Sequence, residues 1–284
     1  MKIKDFLKAC YKAADNLVEH DGVEHAGYIT FLIIISIFPF ILFLIALTGF
    51  LGESEAGAVF IKNMLSLMPK EFLPAIIPRI QEIISGPPQS FVAIAFLSLI
   101  WTASSFFQGL RNILNRVYRV ESPPSYLLRR IGTMVYFLII ALIIAIIIFF
   151  SFFGEVIYLK LLLVLKKEIS LFSSLDFLFV NKVFAFISTT LIVYLSYYTL
   201  PDLKKKKFAN FLPGTIFVLI CWFLVTKAFA IYLESFNQVY VVYGSIAGFV
   251  VSMFYLYIIV MIYIFGAEFN YEYAKLKNKK RIAN

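Results

Sequence analysis

Residues 27–50 read GYITFLIIISIFPFILFLIALTGF, an apolar run without a charged side chain. A helix needs about 20 consecutive apolar residues to cross the hydrocarbon core of a bilayer, so this run predicts a membrane span. Ser36 and Pro39 lie near its middle. A proline in such a helix frees a carbonyl oxygen, which must find a partner on a neighbouring helix or in water. We therefore expect either a tightly packed bend or a broken helix beside a cavity at Pro39.

Five further runs of the same kind follow along the chain. Of its 284 residues, 61% are hydrophobic and only 15% are charged, which is more apolar surface than a soluble domain of this length can bury. We predict an all-α fold, a polytopic integral membrane helical bundle that forms a single domain over residues 1–284. Its six transmembrane helices are expected at about residues 27–50, 90–109, 131–153, 180–200, 209–233 and 240–267.

Basic residues fall unevenly on the two sides of these spans. Eighteen of the 26 Lys and Arg residues lie on the side of the two termini, six lie on the other side and two lie within spans. Positively charged loops stay on the cytoplasmic side, so this asymmetry predicts that both termini are cytoplasmic. The basic tract at 204–207 then faces anionic lipid headgroups. Membrane lipids are the expected partners, and we expect no binding of nucleic acid.

Two long connections lie on the predicted outer side. Residues 55–85 carry two short apolar stripes broken by Pro69, Pro74 and Pro78, and residues 154–179 begin with an amphipathic pattern. Each apolar piece of 55–85 is too short to span a bilayer. We expect amphipathic helices in both outer segments, which either cap the bundle or lie inert at the membrane interface.

Ionisable residues inside or at the ends of spans are the candidates for function. A charge at the bilayer centre costs about 2.5–3.5 kcal/mol on insertion scales. Lys227 lies within the fifth span and shares a helix face with Glu234, roughly 10 Å away along the axis. It either extends to the outer interface or faces an internal cavity and meets an anionic group such as a lipid phosphate. Glu268 ends the sixth span, where it either pairs with a basic side chain or, like Glu234, forms a gate or proton-linked site.

Polar and small residues mark two further helix faces. Gln108 and Asn112 follow the second span at helical spacing on nearly one face. Gly244 and Gly248 form a G-x-x-x-G spacing, which favours close helix packing. The candidates to line an internal path are Lys227, Ser36, Gln108 and Asn112, with Pro39 at a flexible point.

The sequence argues against catalysis. A metal-dependent nuclease needs clustered His, Asp and Glu, and this chain has two histidines, His20 and His25, and scattered acids. No nucleophile elbow or nucleotide-binding motif is present. Cys10 and Cys221 have no metal-ligand spacing and cannot form a disulfide framework. We expect no enzyme activity, no catalytic residue, no metal and no cofactor.

Six stretches in order along the chain carry a family resemblance. They are AGYITFLIIISIFPF, FLPAIIPRI, WTASSFFQGLRNILNRVYRV, YYTLPDLKKKKFANFLPGT, TKAFAIYLESFNQVYVVYGSIAG and YIFGAEFNYEY. Together they resemble the YihY/virulence factor BrkB family of bacterial inner-membrane proteins, some of which were once labelled ribonuclease BN. The stretch ESPPSYLLRR departs from the more basic segment usual in the family before the third span. The resemblance implies a six-span protein of the bacterial cytoplasmic (inner) membrane, linked in some members to serum resistance, envelope phenotypes or transport.

Two hypotheses of function follow from the residues and the resemblance. The leading one is transport of a lipid-like or anionic amphipathic substrate in the cell envelope, with Lys227 in the cavity and residues 55–85 as a lid. The alternative is a non-transporting membrane scaffold that organises envelope assembly and binds an envelope protein partner. Neither the substrate nor the oligomeric state follows from the sequence.

Overall fold

A computed structural model describes residues 3–51, 77–78, 89–121, 125–143, 174–204, 207–235 and 237–283. Within these ranges every regular element is helical, and no strand occurs. This confirms the all-α prediction. The elements are α1 (Ile3–Glu19), α2 (Gly22–Leu51), α3 (Gln89–Val117), α4 (described over Tyr126–Ile143), α5 (Ser174–Thr199), a 3-10 turn (Phe208–Asn210), α6 (Leu212–Ser235) and α7 (Asn237–Ala283).

The helices lie where the apolar runs predict them, with different ends. α5 begins at Ser174 rather than at residue 180, and α7 continues past residue 267 to Ala283. Three stretches within the described residues are long and apolar enough to cross a membrane: Tyr126–Ile143, Phe208–Leu233 and Gly248–Lys277. The six-span count and the orientation stay predictions. Apart from residues 77–78 and 174–179, the outer segments 55–85 and 154–179 lie outside the described residues.

Two compact units divide the chain. One comprises Met1–Thr30 with Phe107–Asn284, and the other comprises Phe31–Phe106. The single membrane domain stays a prediction. All of the helix contacts described below belong to the first unit.

α6 and α7 form an antiparallel pair whose contact is closest at two glycines. A Cβ added at Gly214 would collide with the carbonyl oxygen of Gly266, and one added at Gly266 would collide with Val218. Further along, the Trp222 indole donates a 2.9 Å hydrogen bond to the Ile259 carbonyl. Small residues thus let the two backbones approach, as in other membrane helix pairs.

The C-terminal half of α7 also holds α1 and α5. Ala9 and Ala13 of α1 pack against Phe269 of α7. From α5, the Tyr197 hydroxyl donates a 2.5 Å hydrogen bond to the Tyr263 carbonyl. Contacts between buried residues of different helices therefore concentrate at one end of this unit. This end consists of α1, the ends of α3 and α5, the start of α6 and the C-terminal half of α7. We call this region the polar end.

Candidate functional site

An aspartate just after α5 joins α5 to α3 at the polar end. Both oxygens of Asp202 accept hydrogen bonds from the Arg111 guanidinium, from Nε at 3.1 Å and from Nη2. Asn115 Nδ2 donates to Asp202 Oδ2 at 2.8 Å, and Asn115 Oδ1 accepts from the Asp202 backbone N–H at 2.8 Å. A bidentate arginine–carboxylate pair with a reciprocal asparagine fixes both position and angle. Asp202 therefore orders the end of α3, close to Arg116 and Arg119.

The ionisation of Asp202 follows from the same contacts. Burial alone would raise the pKa of its carboxyl, but the hydrogen bonds from Arg111 and Asn115 and the charges of Arg111 and Arg129 outweigh burial and lower the pKa. The carboxylate is therefore ionised throughout the physiological range. Its negative charge is already matched by Arg111, so the remaining arginines of this region are not neutralised by it.

A second polar cluster joins α1 to α7. Asn16 Nδ2 donates to Glu268 Oε2 at 3.4 Å and to Glu272 Oε1 at 3.2 Å. His20 Nδ1 lies 2.6 Å from Glu268 Oε1. Glu268 is fully buried and Glu272 is 2% exposed, so both carboxylates depend on α1 for hydrogen bonds. Glu268, a candidate gate residue, thus contacts Asn16 of α1 and His20, which directly follows α1.

Arg119 ends α3 in an unusual backbone conformation. Its φ is 55°, in the left-handed region that favours glycine. The backbone N–H of Val120 bonds the Asn115 carbonyl at 2.9 Å, and that of Arg119 bonds the Arg116 carbonyl at 3.1 Å, the pattern of a Schellman cap. The guanidinium of Arg119 lies 4.9 Å from the centre of the Tyr271 ring. A non-glycine residue in this conformation stores strain, which often marks a functional position.

Three arginines line an open cavity of about 600 Å³ at the polar end. We call this cavity the arginine pocket; its walls are Asn112, Asn115, Arg116, Arg119, Val120, Glu121 and Arg129. Arg116 pairs with Asp21 at 2.5 Å, and both side chains are about half exposed. The buried Nε of Arg129 has no hydrogen-bond partner among the described residues. A buried donor beside several guanidinium groups is suited to a carboxylate or phosphate.

Two residues predicted to line a polar path are brought together here. Gln108 Nε2 donates to Asn112 Oδ1 at 2.9 Å, and Asn112 lines the arginine pocket. Gln108 is buried, and its Oε1 lies 3.5 Å from the hydroxyl of Thr133 on α4. Their helical spacing therefore places both on the α3 face that meets α4.

Lys227 lies elsewhere. Its side chain is exposed on α6, and its Nζ lies 5.9 Å from the centre of the Phe223 ring. The α6 residues that face α7 along an apolar groove are Val225, Ala228, Phe229 and Tyr232, and helical periodicity puts Lys227 on nearly the opposite face. Glu234 lies in the last turn of α6. A role for either residue in a cavity or gate stays a prediction.

The remaining candidates belong to other parts of the fold. Ser36 donates a 2.7 Å hydrogen bond to the Leu32 carbonyl of its own helix. Pro39 is buried, and α2 continues through it. Gly244 and Gly248 lie on α7, and no described atom would lie within 4 Å of a Cβ at Gly248. Their proposed packing role stays a prediction, whereas the close approach that the structure describes occurs at Gly214.

Several residues of this site could not be predicted from local sequence patterns. A single residue separates Asp202 from a run of four lysines. A single acidic residue in this basic segment was the available indication that it forms an ion pair. Asn16 lies on the α1 face that also carries Ala9 and Ala13, and His20 follows four residues later, just after α1 ends. A polar pair thus continues a stripe of small residues. The left-handed conformation of Arg119 could not be predicted from its residue type, because arginine rarely adopts this conformation.

Within the described ranges no group of three or more His, Cys, Asp or Glu side chains is placed to hold a metal ion.

Comparison with known proteins identifies the family. The family model described as Virulence factor BrkB matches residues 13–284. Over 273 residues, covering 93% of each chain, the protein is 24% identical to the ribonuclease-like protein YfkH of Bacillus subtilis (strain 168). It is also 24% identical over 255 residues to the UPF0761 membrane protein PSHAa0171 of Pseudoalteromonas translucida (strain TAC 125), covering 86% of this chain and 78% of the relative. No solved structure matches the chain. These matches confirm the resemblance seen in the six sequence stretches: the chain belongs to the virulence factor BrkB family and is a membrane protein.

Proposed function

We propose that this protein binds the anionic headgroup of an amphipathic molecule in the arginine pocket and moves that molecule between the leaflets of the bacterial inner membrane. In this proposal the chain spans the membrane six times, both termini are cytoplasmic, and membrane lipids are its partners. It catalyses no covalent reaction. The arginine pocket is the observation that carries the proposal.

The chemistry of the pocket supports a phosphate-bearing headgroup. Arg116, Arg119 and Arg129 bring three positive charges to its wall, Glu121 adds one negative charge, and Asp21 pairs with Arg116, so one positive charge remains in excess. Guanidinium groups bind phosphate oxygens in pairs with fixed geometry. Asn112 and Asn115 add neutral polar groups at the same wall. A cavity of about 600 Å³ falls within the range of small-molecule sites, and it accommodates a headgroup while the tails stay in the bilayer.

The position of the pocket supports a membrane substrate. It lies at the end of α3 and the start of α4, beside helices that are apolar enough to cross a bilayer. The sequence predicts that this end is cytoplasmic, where anionic lipids attract basic residues. A headgroup held there would be at the correct depth to enter or leave the inner leaflet.

A lipid-movement assay tests transport directly. The purified protein is reconstituted into phosphatidylcholine vesicles that contain fluorescent NBD-phosphatidylglycerol, and dithionite is added to quench the label in the outer leaflet. The proposal predicts that wild-type protein also moves label from the inner to the outer leaflet, where dithionite quenches it in a second phase of fluorescence loss. Arg129→Gln should slow this phase about tenfold, since it removes one charge-assisted contact.

A charge-matched control accompanies the assay. Lys8→Gln removes an exposed positive charge on α1 that lies outside both the arginine pocket and the basic tract at 204–207, and its rate should equal that of the wild type. If vesicles with wild-type protein lose no more fluorescence than protein-free vesicles, the transport proposal is wrong. The non-transporting membrane scaffold then becomes the better hypothesis.

A further inference from the structure

A second, smaller cavity lies next to the arginine pocket. Its volume is about 360 Å³, and the residues that matter here are Tyr118, Lys207, Phe211, Asn270, Tyr271 and Lys275. The Arg119 guanidinium, which lines the arginine pocket, lies 4.9 Å from the centre of the Tyr271 ring. A wall residue of one cavity thus contacts a wall residue of the other. The proposed transport step makes no use of the second cavity.

Asn270 presents a fixed, buried donor to this cavity. The side chain is 1% exposed, and its Oδ1 accepts a 2.6 Å hydrogen bond from the Gly214 backbone N–H. Because only the amide oxygen can accept from a backbone N–H, this bond fixes the orientation of the side-chain amide, with Nδ2 as its other end. Among the described residues Nδ2 has no hydrogen-bond partner of acceptable geometry, although it is close enough to the Tyr118 hydroxyl to lower the pKa of that phenol. A buried donor without a partner is destabilising, and native proteins rarely leave one unsatisfied.

Tyr118 supplies a second donor of the same kind. Its side chain is 8% exposed and its ring packs edge-on against Phe211, with the ring centres 5.6 Å apart. Its hydroxyl has no hydrogen-bond partner of acceptable geometry in the described part of the chain. Burial raises the pKa of the Tyr118 phenol, and the nearby Asn270 amide offsets only part of that rise. The phenol therefore keeps its proton and acts as a neutral donor.

The charges around the cavity indicate the sign of its ligand. Lys207 and Lys275 line it, and both are exposed. Lys275 Nζ lies 3.7 Å from Glu272, which also accepts a hydrogen bond from Asn16. Two ammonium groups, an amide N–H and a phenol O–H together favour a ligand with several acceptor oxygens and a negative charge.

We propose that this second cavity binds a phosphate group, carried either by a small soluble molecule or by a lipid headgroup. The oxygens accept from Tyr118 and Asn270, and the lysines balance the charge. Phe211 and Tyr271 provide an apolar wall for a small organic substituent. This site is separate from the arginine pocket and does not depend on transport.

The variant Tyr118→Phe separates a binding role from a structural one. It keeps the ring contact with Phe211 and removes only the hydroxyl. Without ligand, the variant should be as stable as the wild type or slightly more stable, because an unpaired buried hydroxyl is lost. With ligand, the apparent dissociation constant should rise about tenfold, since one hydrogen bond to a charged group is lost.

The measurement is thermal unfolding of the full-length protein in zwitterionic detergent, titrated with inorganic phosphate at constant ionic strength. A parallel series uses nanodiscs of phosphatidylcholine with and without phosphatidic acid. Stabilisation by inorganic phosphate identifies a soluble source, and stabilisation by phosphatidic acid alone identifies a lipid source. Both series are repeated in the Arg129→Gln background, so that a response from the arginine pocket is weakened.

A second tyrosine provides the matched control. Tyr136 on α4 also has a buried hydroxyl without a hydrogen-bond partner of acceptable geometry among the described residues, and it does not line this cavity. Tyr136→Phe should keep the full response to phosphate. The proposal is wrong if neither series stabilises the Arg129→Gln protein, or if Tyr118→Phe responds as strongly as Tyr136→Phe.

Discussion

The polar end and the half of α6 that carries Lys227 use polar residues in opposite ways. At the polar end, Asp202, Glu268 and Asn270 are buried or nearly so, and each contacts a side chain or backbone group from another part of the chain. Around Lys227 the α6–α7 contact is mostly apolar, with one exposed hydrogen bond of 2.9 Å between the hydroxyls of Thr226 and Tyr255, and the lysine lies on the exposed face. Buried polar contacts thus determine how the helices meet at one end, whereas apolar packing predominates in the other half.

This difference indicates where a ligand is held most precisely. Binding sites need side chains whose own positions are fixed by neighbouring contacts. Arg119 and Arg129 have such neighbours in Tyr271 and Asn112, while Lys227 contacts a phenylalanine of its own helix. We therefore expect substitutions at the polar end to affect both stability and binding, and substitutions at Lys227 to affect neither strongly.

The largest expected effect is at Gly214. Gly214→Val would place a branched side chain against the Gly266 carbonyl and the Asn270 amide, so α6 and α7 could not keep their contact. We expect a loss of about 3 kcal/mol or more in the free energy of unfolding, measured by SDS titration in mixed micelles. The matched control is Gly248→Val, which meets no described atom within 4 Å. Equal losses in the two variants would contradict the importance of the Gly214 contact.

The next effect is at Asp202. Asp202→Asn keeps the shape of the side chain but leaves Arg111 without its counter-charge, and we expect a loss of about 2 kcal/mol. Asp21→Asn is the control, because the Asp21–Arg116 pair is about half exposed and such pairs contribute about 0–1 kcal/mol. The same SDS titration compares the two. If Asp21→Asn proves the more costly change, Asp202 does not join α3 to α5 as described.

The pH dependence of Asp202 sharpens this test. A carboxyl whose pKa is lowered in the folded state contributes stability above its unfolded pKa, and loses that contribution as the pH falls through the folded pKa. The ordinary value for aspartate is 3.8. The stability difference between wild type and Asp202→Asn should therefore be constant near neutral pH and shrink below about pH 4. A difference that stays constant down to pH 2 would show that the charge of Asp202 contributes nothing.

The smallest effect is expected at Lys227. Lys227→Gln should change the free energy of unfolding by less than about 0.5 kcal/mol, as surface substitutions usually do. It should also leave phosphatidylglycerol movement unchanged in the dithionite assay. A rate as low as that of Arg129→Gln would instead support the sequence-based hypothesis that Lys227 meets the anionic group.

The sequence predicted the helices better than the site. Apolar runs located α2, α3, α5, α6 and α7, because each span is specified by local composition. Gln108 and Asn112 were also predicted on one helix face, since their spacing is local. The contacts of Asn16 with Glu272 and of Asn115 with Asp202 join residues 256 and 87 positions apart. No local pattern encodes such pairs, and they became visible only when the helices were placed together.

The most direct test of the arginine pocket uses the strained residue itself. Glycine fits the left-handed conformation of Arg119 without strain, so Arg119→Gly removes a charge from the pocket while relieving the backbone. The measurement is the extra thermal stabilisation of purified protein by short-chain phosphatidylglycerol over short-chain phosphatidylcholine. We predict that Arg119→Gly stays folded, with its free energy of unfolding within about 1 kcal/mol of wild type, and loses most of this headgroup-specific stabilisation. A folded Arg119→Gly protein that prefers phosphatidylglycerol as strongly as the wild type would contradict binding of the headgroup in the arginine pocket.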